Sequence, residues 1–212
     1  MLIDLTHTLQ TGMPVFPGDP EVEIQVHLDY KTHHCRVTRW KLGSHTGTHM
    51  DAPSHFIHGG VSLDKIPVSR FVGRGVVADL RHLEAGSPII PRDLETALAG
   101  CHSGDFLVLH TGWDRYWGLP VYGNHPHLSL EAARLVIKQG ISLVAIDAPD
   151  IEKAPDNHYP VHQLLLEQHC LIVENLSGLE QTTHPVGWFI FLPLKVEDTD
   201  GSPIRALYMP CP

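Results

Sequence analysis

The feature that most limits this chain is a succession of short apolar runs, each cut off by Gly, Pro or Asp. They are GVVADL (75–80), DFLVLH (105–110), ISLVAID (141–147), CLIVE (170–174), WFIFLPL (188–194) and PIRALYM (203–209). Several are rich in Val and Ile, whose branched side chains suit a pleated surface, so the runs predict strands. In VEIQVHLDY (22–30), Val22, Ile24, Val26, Leu28 and Tyr30 alternate with polar residues, the period of a half-buried strand, and 35–42 reads as its partner. Helices are fewer. LEAARLVIKQ (130–139) lies between Ser129 as cap and Gly140 as terminator, PRDLETALAG (91–100) starts on Pro and ends on Gly, and VHQLLLEQ (161–168) is the third. Asp-Gly in DTDGSP (198–203) reads as the turn of a closing hairpin. Roughly eight strands interleaved with three helices, without a repeat or linker, predict one mixed α/β domain over residues 1–212. The order of the strands does not follow from these runs.

Composition narrows the function. A formal net charge of −9 with no run of Lys or Arg argues against nucleic acid or an anionic membrane surface as partner, and favours a small molecule. No apolar run approaches the ~20 residues that span a bilayer. The opening MLIDLTHTL has no basic leader or cleavage site, so a cytoplasmic location is expected. Four scattered cysteines, Cys35, Cys101, Cys170 and Cys211, include no Cys-x-x-Cys pair, which leaves nitrogen and oxygen as the donors for any metal. Histidine is the outlier, with 17 in 212 residues spread along the chain.

Three of these histidines fall in HTGTHMDAPSH (45–55). Gly47, two threonines and Pro53 make a poor helix, whereas an extended segment turns His45, His49, Asp51 and His55 to one side, with Gly47 leaving room between imidazoles. Pro53 ends regular pairing and lets His55 enter from another direction. Gathered imidazoles repel one another when charged and gain by binding a cation, so the stretch reads as a metal site on a sheet edge. Its ligands suit Zn²⁺, Mn²⁺ or Fe²⁺. Further along, His162 opens a short helix and Glu174 closes the next strand. A helix of eight residues rises ~12 Å and a strand of five returns ~16 Å, so antiparallel packing brings both side chains to the same end.

The pattern His-x-Gly-Thr-His-x-Asp-x-Pro-x-His resembles that of the cyclase family of metal-dependent hydrolases, which includes bacterial kynurenine formamidase and isatin hydrolase. IDLTHTL (3–9), GMPVFPGDP (12–20), HTGW (110–113), AIDAPDIE (145–152), HCLIVENL (169–176) and FIFLPL (189–194) extend the likeness over nearly the whole chain. The resemblance implies the swivelling β/β/α fold, a homodimer or larger assembly, and two divalent ions per chain, Zn²⁺ first and Mn²⁺ as the alternative. It implies that His45, His49 and Asp51 hold one ion, that Asp51, His162 and Glu174 hold the other, and that Asp51 and Glu174 bridge them. His55 corresponds to the proton donor and acceptor. Phe16 stands where kynurenine formamidases have a tryptophan that contacts the aryl substrate, so a ring is kept without the indole N–H.

The activity implied is hydrolysis of N-formyl-L-kynurenine or a related aryl formamide, a step of tryptophan catabolism. Opening of a cyclic amide or lactone, as in isatin hydrolase, is the second reading, and a structural metal-binding protein is the third. The intact His55, which metal binding does not require, favours the enzymes. His7, His110 and Asp147 are expected to make backbone contacts at strand ends. The loop with Tyr122, Asn124, His125 and His127 either closes a pocket or is exposed.

Overall fold

A computed structural model of the protein describes residues 2–153 and 158–211. Its strands are β1 (Ile3–Asp4), β2 (Glu23–Leu28), β3 (Val37–Lys41), β4 (His49–Asp51), β5 (Val72–Asp79), β6 (Pro88–Ile89), β7 (Phe106–His110), β8 (His127–Leu128), β9 (Leu143–Ile146), β10 (Leu171–Glu174), β11 (Val186–Pro193) and β12 (Gly201–Pro210). The helices are α1 (Tyr30–His33), α2 (Pro91–Ala99), α3 (Leu130–Lys138) and α4 (Pro160–Glu167). Every strand and helix expected above is found, except that β2 stops at Leu28 and Tyr30 opens α1 instead of ending the strand; α3 takes its cap from Ser129, whose side chain accepts from the Ala132 N–H. Gly140 follows the helix at φ 77°, the left-handed turn that releases the chain into β9.

The main sheet runs β1-β12-β11-β5-β7-β9-β10-β4, and β4 also pairs with β12. The last seven strands of that order therefore close into a barrel, and β1 lies outside it. β5, β7, β9 and β10 are parallel, while β4, β11 and β12 join antiparallel. Of the parallel strands, β7, β9 and β10 are buried on both faces, which is why they read as continuous apolar runs rather than as alternation.

Side chains alternate between two cores. Phe106, Val108, Ala145, Val173, Phe189, Phe191 and Tyr208 fill the barrel. Leu107, Leu109, Val144, Ile146 and Ile172 face outward, among Leu94, Leu98, Val136 and Leu165 of the helices. Each such fully buried side chain stabilises the fold by roughly 1.5–3 kcal/mol relative to exposure. Gly75 makes room for this packing: a Cβ there would lie 2.6 Å from the Phe189 ring.

Three local expectations are corrected. The extended stretch is confined to His49–Asp51, because His45 sits in a turn and Pro53–His55 forms a 3-10 helix with Pro53 first. Gly47 serves its own backbone, at φ 61°, and packs against Leu9 and Met13 rather than separating imidazoles. The β11–β12 hairpin exists, but it turns earlier than Asp-Gly: Asp198 takes the left-handed conformation and Gly201 is already in β12, opposite Asp51.

Candidate metal centre

The cluster forms where β4 closes the barrel. Antiparallel pairing sets His49 opposite Glu174 and Asp51 opposite Ile172 and Gly201, and period-two alternation turns His49 and Asp51 to the same side. α4 packs back against β10 and brings His162 to the same end.

His49 Nε2 lies 3.5 Å from Asp51 Oδ1 and 3.4 Å from Glu174 Oε2. On the other side, His162 Nε2 lies 3.7 Å from Asp51 Oδ2 and 3.4 Å from Glu174 Oε1. Each carboxylate thus offers one oxygen to each imidazole. His45 Nδ1 lies 2.8 Å from Asp51 Oδ1. Three donor groups result among the described residues: His45 with His49 and Asp51, Asp51 with His162 and Glu174, and the less buried His45 with His55 and Asp200. The five residues assigned from the sequence are thereby brought together.

The far nitrogen of each imidazole is also engaged. His45 Nε2 bonds Asp200 Oδ2 at 3.1 Å, His49 Nδ1 bonds the Gly47 carbonyl at 2.7 Å, and His162 Nδ1 bonds Glu152 Oε2 at 3.2 Å. Outer acceptors of this kind fix ring orientation and the position of the proton. The His45 ring also fills the space that a side chain on Gly201 would need, since a Cβ there would lie 2.5 Å from His45 Cε1.

His49, Asp51, His162 and Glu174 are all buried. Burial lowers the pKa of His45, but the Asp51 carboxylate outweighs it and raises the group to about 9. For His162 burial is likewise outweighed, by the hydrogen bonds to Glu152 and Glu174, and its pKa lies well above the usual value. Glu174 is held down near 2 against its burial by His162 and His49. Asp51 is depressed as well, chiefly by His45, and its Oδ2 is buried without a hydrogen-bond partner among the described residues. An orphaned carboxylate oxygen facing a shell of nitrogen and oxygen donors fits divalent cations, and without sulfur it suits Zn²⁺ or Mn²⁺.

His55 stands beside this shell. Its ring stacks on His45 with centroids 3.9 Å apart, and its Nδ1 lies 3.3 Å from Asp200 Oδ2. Burial lowers its pKa, which favours the neutral ring that can take a proton.

Phe16 is different. It lies on a turn closed by the Asp19 N–H to its carbonyl, is 36% exposed, and makes no ring contact with the imidazoles among the described residues. Phe56 is the nearer aromatic, 4.4 Å from His55 and 4.7 Å from His162 between ring centroids.

Asp200, Glu152 and Phe56 carried no assignment from the sequence. Glu152 lies within AIDAPDIE and Asp200 within DTDGSP, so both segments were visible while the direction of their acids was not. Asp147 makes the backbone contacts expected of it, accepting from the Thr111 and Gly112 N–H groups. The loop near His125 is exposed only in part: Asn124 faces solvent, but Tyr122, His125 and His127 are buried, Trp113 Nε1 donates to the Tyr122 carbonyl, and the Tyr122 hydroxyl donates to Asn175 Oδ1.

At one end of a closed mixed barrel, buried imidazoles gather around two carboxylates, an arrangement that fits a metal-dependent hydrolase. Residues 3–153 match the family described as "Putative cyclase", and the chain belongs to that family. It is 29% identical to a kynurenine formamidase of Salinibacter ruber over 218 residues, covering 100% of this chain and 98% of that one. Among solved structures it is similar to isatin hydrolase A from Labrenzia aggregata bound to benzyl benzoate, with TM-score 0.90, 26% identity and coverage of 99% and 93%. It also resembles a potential metal-dependent hydrolase with cyclase activity, with TM-score 0.83, 28% identity and coverage of 98% and 96%. No helix among the described residues is long and apolar enough to cross a membrane.

Proposed function

We propose that the protein is an amidohydrolase of the kynurenine formamidase type, which cleaves N-formyl-L-kynurenine or a related aryl formamide to formate and the amine. The observation that carries this reading is the His55 ring, stacked on His45 at 3.9 Å, beside two donor groups that share the buried Asp51 carboxylate. His45, His49 and Asp51 would hold one divalent ion and Asp51, His162 and Glu174 the other, with Zn²⁺ preferred over Mn²⁺. When bound, such a pair lowers the pKa of water toward ~7 and polarises a carbonyl.

The chain's own groups do the rest. Asp200, 3.3 Å from His55 Nδ1, favours the proton on that nitrogen and leaves Nε2 as the base. His55 takes a proton as water adds to the formyl carbon, and returns it to the nitrogen as the C–N bond breaks. Phe56 and the more distant Phe16 offer apolar contact to an aryl group. On this reading the barrel and its helices are the swivelling β/β/α fold, and the working form is a homodimer or larger.

The likeness to isatin hydrolase A supports a second reading, in which the same groups open a cyclic amide. Metal analysis of untreated protein, beside a hydrolysis screen of N-formylkynurenine, isatin and simple lactones, separates the two. Release of formate from the first substrate alone supports the formamidase. Bound metal with no hydrolysis of any substrate sinks both and leaves a structural metal protein.

A further inference from the structure

The start of α4 is assembled in an unusual way. Tyr159 at the N-cap position is left-handed, at φ 46°, and makes no capping bond with its side chain, while Pro160 occupies the first turn without an N–H. A helix start leaves N–H groups without partners inside the helix. Here they are taken by a distant acid. The Glu152 carboxylate accepts from Val161 N at 3.0 Å and from His162 N at 3.1 Å. The same Oε2 accepts from His162 Nδ1 at 3.2 Å. Glu152 itself is only 3% exposed, and its own N–H donates to Asp150 Oδ1 at 2.6 Å.

One carboxylate therefore fixes both the backbone and the ring of a single histidine, and with Nδ1 held, Nε2 is left for Asp51 and Glu174. His45 and His49 do not depend on this group, because their far nitrogens rest on Asp200 and on the Gly47 carbonyl.

Resting on the two-ion reading above, we infer that Glu152 is the positioning residue of the second ion: it folds the start of α4 and aims His162 in one act, and it serves that ion and not the first. A group that only stabilised the fold would weaken both ions together or neither.

The test compares Glu152→Ala and Glu152→Gln with the unaltered protein, using Zn²⁺ stoichiometry, competition with a chelator, and hydrogen exchange of the metal-free protein. In Glu152→Ala the second ion is lost, the first stays, and the Val161 and His162 amides lose about tenfold or more of their protection. Glu152→Gln keeps an oxygen acceptor but not the charge, so it keeps the metal-free melting temperature while the second ion binds ~10–100-fold more weakly, the usual effect of an outer carboxylate. If Glu152→Ala does not fold, Glu152→Gln alone decides. Unchanged affinity for both ions in Glu152→Gln overturns the inference, as does equal weakening of both. Should the unaltered protein bind fewer than two ions, the two-ion reading is what fails; amide protection unchanged in Glu152→Ala would instead sink the role of Glu152 itself.

Discussion

The rings of His45 and His55 stack at 3.9 Å with 27° between their planes, yet their surroundings push their pKa values in opposite directions. Asp51 raises the pKa of His45 against its burial, and burial lowers that of His55. One is suited to surrender a proton to an incoming cation, and the other to carry a proton during turnover.

From this division, His55→Ala is expected to keep its metal and melting temperature while kcat falls by ~10²-fold or more, the scale of a general acid/base contribution. His49→Ala loses metal instead. Elemental analysis beside steady-state kinetics checks both, and loss of metal from His55→Ala would make that residue a ligand.

Glu174→Ala is expected to release at least one ion, since each Glu174 oxygen faces a different imidazole. Inductively coupled plasma analysis of the purified variant reads this directly. Retention of two ions would show that Asp51 alone suffices as the bridge.

Ion binding is expected to release protons at pH 7. The folded pKa of His45 is raised from 6.5 to about 9 and that of His162 lies well above 6.5, so each ring holds a proton that the ion must displace. Affinity therefore climbs with pH until about 9 and falls on acidification. For the metal-free chain the sign is opposite: stabilisation from the raised His45 is complete below about 6.5 and is lost as pH passes 9. Proton release in weakly buffered Zn²⁺ titrations, and melting temperatures of chelated protein at both ends of that range, are the measurements. Binding without proton release at pH 7 would contradict the charges drawn here.

Gly201→Ala is expected to disturb the first ion although residue 201 is no ligand, because the new Cβ would take the space of the His45 ring. Chelator competition should show one weakened ion and one unchanged.

Truncating the aromatic neighbours separates binding from chemistry. Phe16→Ala is expected to raise KM for aryl formamides about tenfold or more, a loss of ~1–3 kcal/mol of apolar contact, with metal content unchanged. Equal kinetics for Phe16→Ala and the unaltered protein on every aryl substrate would set that loop outside the pocket and leave Phe56 as the aromatic contact.

Much of the fold was legible because the doubly buried strands are written as unbroken apolar runs, and because Ser129, Gly140, Pro91 and Gly100 punctuate their helices. The gathering of His49, Asp51, His162 and Glu174 was legible for a related reason, since alternation in a strand and the antiparallel return of α4 and β10 are local geometry. Barrel closure was not, as pairing of residues 49–51 with both 172–174 and 201–203 depends on contacts far apart in the chain. Asp200 and Glu152 escaped notice for the same cause. An acid that supports an imidazole from 155 or 10 residues away has the same local sequence as any acid in a loop.

Closure by β4 also orders events in time. Asp51 is synthesised early, but the strands that flank it, β10 and β12, emerge only after residues 171 and 201. A nascent chain that stops short of β12 leaves one edge of β4 unpaired and lacks Asp200 behind His45. Such non-local pairing is slow to form. Until the last strand arrives, β4 has a single neighbour and the His45 ring stands without the carboxylate that holds its far nitrogen.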